Sequence, residues 1–263
     1  MGEYIKAVFI LMSGILGLCV GSFLNVVIYR IPEGLSLSYP PSHCPSCNYK
    51  LKWYDNIPVL SYLMLGGKCR GCRGHISFRY TAVEILNTLL WILSAYIYRE
   101  NMPYGIISMI MISVFVSVFF IDLERGIIPD RFHIIIAVAS IAALFFDKST
   151  GILSHFIGLL ASGAIFISLY YISYRIYGKE ALGGGDVKLL TVLGFFFGWK
   201  KFLLLMVIFS ISAVLVLLLI KLIRRDGRDT EYPLAPFITL AAGVVLFFGT
   251  QILEFYTKAL FNF

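Results

Sequence analysis

Apolar residues along this chain are gathered into long blocks, at roughly 5–29, 80–98, 104–123, 131–147, 152–174, 187–199, 202–222 and 235–257. An α-helix rises about 1.5 Å per residue, so about 20 such residues cross the roughly 30 Å hydrocarbon core of a bilayer. The blocks predict an all-α polytopic membrane protein with about eight transmembrane helices. The sixth, Val187 to Trp199, is short and carries glycine, which suits a tilted helix or one that begins in a water-filled cavity. The first block is too long for a cleavable signal peptide and lacks the small-residue cleavage site.

The polar segments between the blocks differ in character. Residues 30–79 form the only sizeable soluble part, a cytoplasmic loop after the first helix. Residues 124–130, 175–186 and 223–234 are short polar loops, and 99–103 and 148–151 are tight links. The expected organisation is an N-terminal region at 1–99 containing the first two spans and the loop, a core at 100–234 containing spans three to seven, and a last span at 235–263.

Composition agrees with a membrane setting. Hydrophobic residues make up 59 % of the chain and charged residues 14 %, too few to cover a soluble surface. The net charge of +7 does not point to nucleic acid, because Lys and Arg form no stripe and sit at the ends of the apolar blocks. With 30–79 inside, Lys6, Arg99, Lys148, Lys200, Lys201 and Lys258 fall outside and the other sixteen of the 22 basic residues inside. This bias places the loop in the cytoplasm and both termini outside, as an even number of spans requires.

Four of the five cysteines come in two close pairs, Cys44-Pro-Ser-Cys47 and, after 21 residues, Cys69-Arg-Gly-Cys72. Two such knuckles at this spacing suit tetrahedral Zn2+ bound by thiolates. Gly71 and Gly74 relax the backbone around the second knuckle, and Lys50, Lys52, Lys68, Arg70 and Arg73 offset the excess negative charge. Two disulfides, or four free thiols, are the alternatives; a reducing cytoplasmic loop disfavours the disulfides. Four cysteines fill the tetrahedron and leave no open position, so the metal would be structural. Cys19, inside the first block, reads as a packing residue.

Acids number only 15, and two lie at the cytoplasmic ends of spans. Asp122 ends the run that closes the third span. Asp186 follows Gly183-Gly184-Gly185 and opens the sixth. An ionisable group at membrane depth is a functional candidate, and three glycines before a carboxylate let the backbone come close to a substrate strand. The alternative is that each acid merely marks a helix end. Asp130 follows Pro129 and precedes the fourth span, an N-cap position. Asp226, Asp229 and Glu231 belong to a solvated loop, and Asp147 to the outer face.

Taken together, these segments resemble the type IV prepilin peptidases, the bacterial leader peptidases of the GxGD aspartyl protease group. The first span ends Gly21-Ser-Phe-Leu-Asn25-Val-Val-Ile-Tyr-Arg30-Ile-Pro32, similar to the family's N-terminal signature. The loop carries CPSC, Trp53-Tyr-Asp55-Asn-Ile-Pro58-Val-Leu-Ser-Tyr62 and CRGC, then Ile76-Ser-Phe-Arg79-Tyr-Thr-Ala-Val-Glu84, with Thr81 where proline is usual. Asp122-Leu-Glu-Arg-Gly-Ile-Ile-Pro129-Asp130 resembles the first catalytic block and Gly183-Gly-Gly-Asp186-Val-Lys188-Leu the second. The resemblance implies Asp122 and Asp186 as the catalytic pair, with Gly183, Gly184, Gly185 and Lys188 in the active-site loop. It implies prepilin and pseudopilin substrates, the bacterial inner membrane, and a cytoplasmic catalytic face. It also implies N-methylation of the new N-terminus with S-adenosylmethionine. No glycine-rich cofactor loop of a methyltransferase is present. Glu84, an acid just inside the second span, is the candidate for methyl transfer; an interfacial or helix-pairing role is its alternative. The rival functions are a presenilin-like or signal-peptide-peptidase-like intramembrane protease, and a transporter or zinc-bearing membrane interaction protein.

Overall fold

A computed structural model describes residues 2–178, 182–224 and 232–260. The basic residues Lys179, Arg225 and Arg228 and the acids Asp226, Asp229 and Glu231 lie outside the described residues. The chain divides into two compact units, 1–117 and 118–263, with the boundary inside one helix.

The first unit contains α1 (Glu3–Arg30), a 3-10 turn (Trp53–Asn56), α2 (Leu60–Met64), α3 (Phe78–Ile97) and most of α4 (Met102–Arg125). Helices α1 and α3 run antiparallel, with Gly14 against Ile92, Gly17 against Thr88 and Trp91, and Gly21 against Glu84. A Cβ on Gly21 would lie 2.8 Å from the Glu84 Cα, so only glycine lets the two backbones approach this closely. Polar side chains lock the contact. Asn87 donates to the Gly17 carbonyl at 2.9 Å and Asn25 to the Tyr80 carbonyl at 3.0 Å. Trp91 donates to Ser113, which donates to Asn87, each at 3.0 Å, so α4 joins the same network. Apolar packing alone would not set this register, because lipid is as apolar as leucine. That also explains Cys19. The expected packing residue is exposed, on the face of α1 that turns away from α3.

The second unit contains the end of α4, then α5 (Asp130–Phe146), α6 (Ile152–Tyr177), α7 (Gly184–Arg224) and α8 (Ala235–Leu260). Here the expected sixth and seventh spans form one element of 41 residues, broken at Gly198 by φ 70 and ψ 165. A straight helix of that length would run about 60 Å, twice the hydrocarbon thickness. The break falls before Trp199-Lys200-Lys201, whose residues continue the second half rather than linking two separate spans. Both halves touch α6. Gly194 of the first half packs so tightly on Gly158 and Ser162 that a Cβ would collide, and Phe202 of the second half meets Phe166 ring to ring at 6.3 Å. Next to the break, Lys201 reaches Ser149 at 2.7 Å and Asp147 at 3.4 Å. Among the described residues, six helices (α1, α3, α4, α6, α7 and α8) are long and apolar enough to cross a membrane, and α5 has 17 residues. Counting α5 and both halves of α7 recovers the eight apolar blocks.

Candidate active site and metal centre

Four helix ends of the second unit converge around Asp122 and Asp186. Asp122 stands one turn from the end of α4 and is buried. Its Oδ2 accepts the backbone N–H of Ala235, the first residue of α8, at 3.0 Å. A carboxylate at a helix C-terminus is disfavoured by the helix dipole; an unpaired N–H from the start of another helix supplies the missing donor. Asp186 is the third residue of α7, where the dipole favours negative charge. It is half-buried, its Oδ1 is buried without a hydrogen-bond partner, and it lies close enough to Asp122 for the two charges to act on each other.

The glycine turn before Asp186 is held from two sides. A Cβ on Gly185 would come within 3.2 Å of Ile128, so the backbone seats directly on the link that follows α4. The carbonyl of Gly185 faces Nε2 of His133 at 3.1 Å. On Gly183, a Cβ would lie 3.2 Å from Asp186 Oδ2. Lys188 pairs with Asp130 at 2.7 Å, and His133 Nδ1 lies 3.4 Å from the same carboxylate. Asp130 is therefore not the expected N-cap. It is the first residue of α5, Pro129 occupies the cap position without a side-chain bond, and Asp130 links α5 to α7.

The loop of the first unit gathers all four paired cysteines, with every sulfur within 4.8 Å of the others. Cys44 and Cys72 stand 4.0 Å apart, and Cys47 and Cys69 3.9 Å. Tetrahedral zinc with bonds of about 2.3 Å would set sulfurs about 3.8 Å apart, so the cluster fits such an ion. No disulfide joins the described cysteines. The two knuckles repeat one local design. The N–H of Cys44 bonds to Tyr49 O and that of Cys69 to Gly74 O, and each second cysteine is followed by a positive-φ residue, Asn48 or Arg73. The expected roles of Gly71 and Gly74 change accordingly. Neither has positive φ; glycine is needed because Cβ atoms would press on Tyr49 and on Cys72 Sγ at 3.1 and 3.2 Å. Backbone amides of Ser46 and Cys47 draw the Cys44 thiol down to about 6. The Tyr49 amide pulls Cys47 the same way, but burial and the surrounding thiols push it up to about 11. The first proton thus leaves easily while the next is retained, and a cation removes that conflict.

Residues 15–98 match the family described as Bacterial Peptidase A24 N-terminal domain, and residues 109–221 match the Type IV leader peptidase family. The chain is 36 % identical over 230 residues to a prepilin leader peptidase/N-methyltransferase of Myxococcus xanthus (strain DK1622), covering 87 % of this chain and 68 % of the relative. It is 32 % identical over 267 residues to a protein of the same name from Aeromonas hydrophila, covering 91 % and 90 %. This chain belongs to the type IV leader peptidase family. No solved structure matches it.

Three features of this leader peptidase family member carry no signal in residue pattern alone. His133 looks like one more residue of an apolar block, until its ring is found against Gly185. The Ala235 amide has no side-chain signature at all. Asp55 is the third. It is buried between the knuckles, taking Arg70 at 2.7 Å, the Lys52 amide at 3.1 Å and the Tyr49 hydroxyl at 3.3 Å. Burial alone would raise its carboxyl, but the Arg70 guanidinium and the Lys52 amide outweigh burial and hold it below the usual range. Glu84, in the first unit, is also tied down. Its Oε2 accepts the N–H of Val59 at 2.8 Å, and Val59 sits at φ 62, a strained conformation for a β-branched residue.

Proposed function

We propose that this protein is an aspartic endopeptidase that removes the leader peptides of prepilins and pseudopilins at the cytoplasmic face of the bacterial inner membrane, and that it N-methylates the new N-terminal residue. The supporting observation is the approach of Asp122 and Asp186 on converging helix ends, in a chain of this family. Two carboxyl groups that share a site hold one proton between them. The ionised partner takes a proton from water, and the protonated partner polarises the scissile carbonyl. Water adds, and the amine leaves protonated. The unpartnered Oδ1 of Asp186 is an acceptor ready for that water. The glycine turn keeps the approach open, and the paired Lys188 and Asp130 hold it to α5. Both termini lie outside, following the distribution of Lys and Arg.

Zn2+ held by Cys44, Cys47, Cys69 and Cys72 supplies a structural clip for a loop with little core of its own. S-adenosylmethionine supplies the methyl group. Incubating purified protein with a prepilin, with and without S-adenosylmethionine, and weighing the products by mass spectrometry tests both activities. The absence of any leader cleavage in detergent or nanodiscs would overturn the proposal.

Two substitutions separate the roles of the surrounding residues. His133→Leu removes the donor that steadies Gly185. It is expected to lower kcat for cleavage about 10- to 100-fold with little change in KM, the size of effect a small misplacement of a catalytic group produces. His133→Gln, which keeps a donor, should restore part of that loss. An unchanged kcat in the leucine variant would remove His133 from the site. Glu84→Gln keeps an oxygen for the Val59 N–H and deletes only charge. Methylation is expected to fall at least about tenfold while cleavage stays within about twofold, a divergence of about 1 kcal/mol or more in barrier. A parallel loss of both activities would make Glu84 structural.

A further inference from the structure

Helix α2 is short, and it sits in an unusual place for part of a soluble loop. Its preceding residue, Val59, donates its N–H to Glu84. Glu84 lies six residues inside α3, about 9 Å along that helix from its first residue, Phe78. Glu84 also packs on Gly21, nine residues before the end of α1, about 13 Å along that axis. Glutamate side chains lean toward the helix N-terminus, which brings the bond part of the way back to the surface. The bond therefore ties the start of α2 to α3 inside that helix's first turns, so α2 begins alongside the end of the span rather than standing off from it. Its Tyr62 packs against Phe78 at 6.2 Å between ring centroids, so the helix stays beside the entrance of α3.

At this depth α2 presents an apolar face outward. Leu60, Leu63 and Met64 are spaced i, i+3 and i+4 and therefore share one side. They are 58 %, 66 % and 84 % exposed. Trp53, in the adjoining 3-10 turn, is 79 % exposed, and tryptophan is the residue that bilayers collect at headgroup level. Charge selects the occupant of this face. Residues 30–79 carry seven Lys and Arg against two acids, Glu33 and Asp55, and Asp55 is already paired with Arg70. A basic segment bearing an apolar face, tethered at both ends to membrane spans, matches an anionic lipid leaflet.

We propose that α2 is an interfacial anchor: the Leu60, Leu63 and Met64 face lies in the headgroup region of an anionic leaflet and tethers the four-cysteine loop to the membrane, with the knuckles held above the lipid. The strained turn at Val59, held by Glu84, sets the depth at which the helix enters. The anchor fixes the height of the knuckles above the bilayer.

The test uses the full chain in nanodiscs of phosphatidylethanolamine and phosphatidylglycerol. A photoreactive benzoyl-phenylalanine is placed at Leu63, at Met64 or, as a control, at the exposed His43. Irradiation at Leu63 and Met64 is expected to give lipid adducts by mass spectrometry, at least several-fold more than at His43. Replacing phosphatidylglycerol by phosphatidylcholine should reduce the yield. Equal, low yields at all three positions would place α2 in water and overturn the proposal. Adducts formed with an added prepilin in preference to lipid would overturn it too, by making the face a protein-docking surface. All three positions are exposed, so the probes leave packing intact and the comparison does not depend on refolding.

Discussion

Asp122→Asn and Asp186→Asn are each expected to lower leader cleavage by about 10⁴-fold or more, the range found when one acid of a coupled catalytic set is removed. That corresponds to roughly 5.5 kcal/mol of lost transition-state stabilisation. Asparagine keeps the shape of the side chain but neither takes a proton from water nor donates one as an acid. At residue 122 its carbonyl can still accept the Ala235 N–H, now at 3.0 Å, so the join between α4 and α8 should survive. At residue 186 the substituted Oδ1 has no protein partner to lose. Both variants should therefore insert, melt near the parent temperature in detergent, and bind zinc normally. Initial rates on a purified prepilin, beside a thermal melt, provide the check. Near-parental cleavage by either variant would dismiss the pair. Supplied with an already cleaved pilin, Asp186→Asn should still methylate it, because hydrolysis alone needs the activated water.

Much of this arrangement was legible in the chain, and what was missed shares a physical cause. The spans were readable because a bilayer demands long apolar blocks. The break in α7 was approximately placed because Lys200 and Lys201 interrupt one. The knuckles were readable because metal ligation requires fixed residue types at short spacing. What stayed hidden were pairings at long range that join a side chain to a backbone group. The Val59 amide on Glu84 spans 25 residues, the Gly185 carbonyl on His133 spans 52, and the Ala235 amide on Asp122 spans 113. Every residue has an amide, so no pattern marks the chosen one. Asp130 was misread for a related reason. After a proline and before an apolar run an aspartate fits a cap, and only the fold brings Lys188 to it from 58 residues away. The rotation of an all-apolar helix is equally silent, which is why Cys19 was expected to pack and instead faces outward.

Removing the metal is expected to loosen residues 44–75 and leave the spans intact. Purified protein should carry about one zinc, the number a single four-thiolate set holds. The sulfurs already stand 3.9–4.0 Å apart in their closest cross-knuckle pairs, yet little else joins the knuckles besides Asp55 with its three donors. A segment this small buries too little apolar surface to order itself, and for such segments roughly 10–16 kcal/mol of zinc-binding free energy is also folding free energy. Chelation under reducing conditions should therefore raise amide hydrogen exchange through 44–75 by orders of magnitude, while exchange in α4 to α8 stays unchanged. Acid should act in the same direction. Metal binding displaces thiol protons, and with Cys47 pushed up to about 11 the set cannot be fully deprotonated near neutrality without the cation, so zinc retention falls as pH drops. The described partners of Asp122 and Asp186 all come from residues 118–263, so cleavage should persist within about tenfold after chelation while methylation is lost. Absence of zinc from metal-replete protein, together with a Cys44–Cys47 or Cys69–Cys72 disulfide by mass spectrometry, would refute the metal centre. Cleavage that vanished with the zinc would instead tie peptide hydrolysis to the loop.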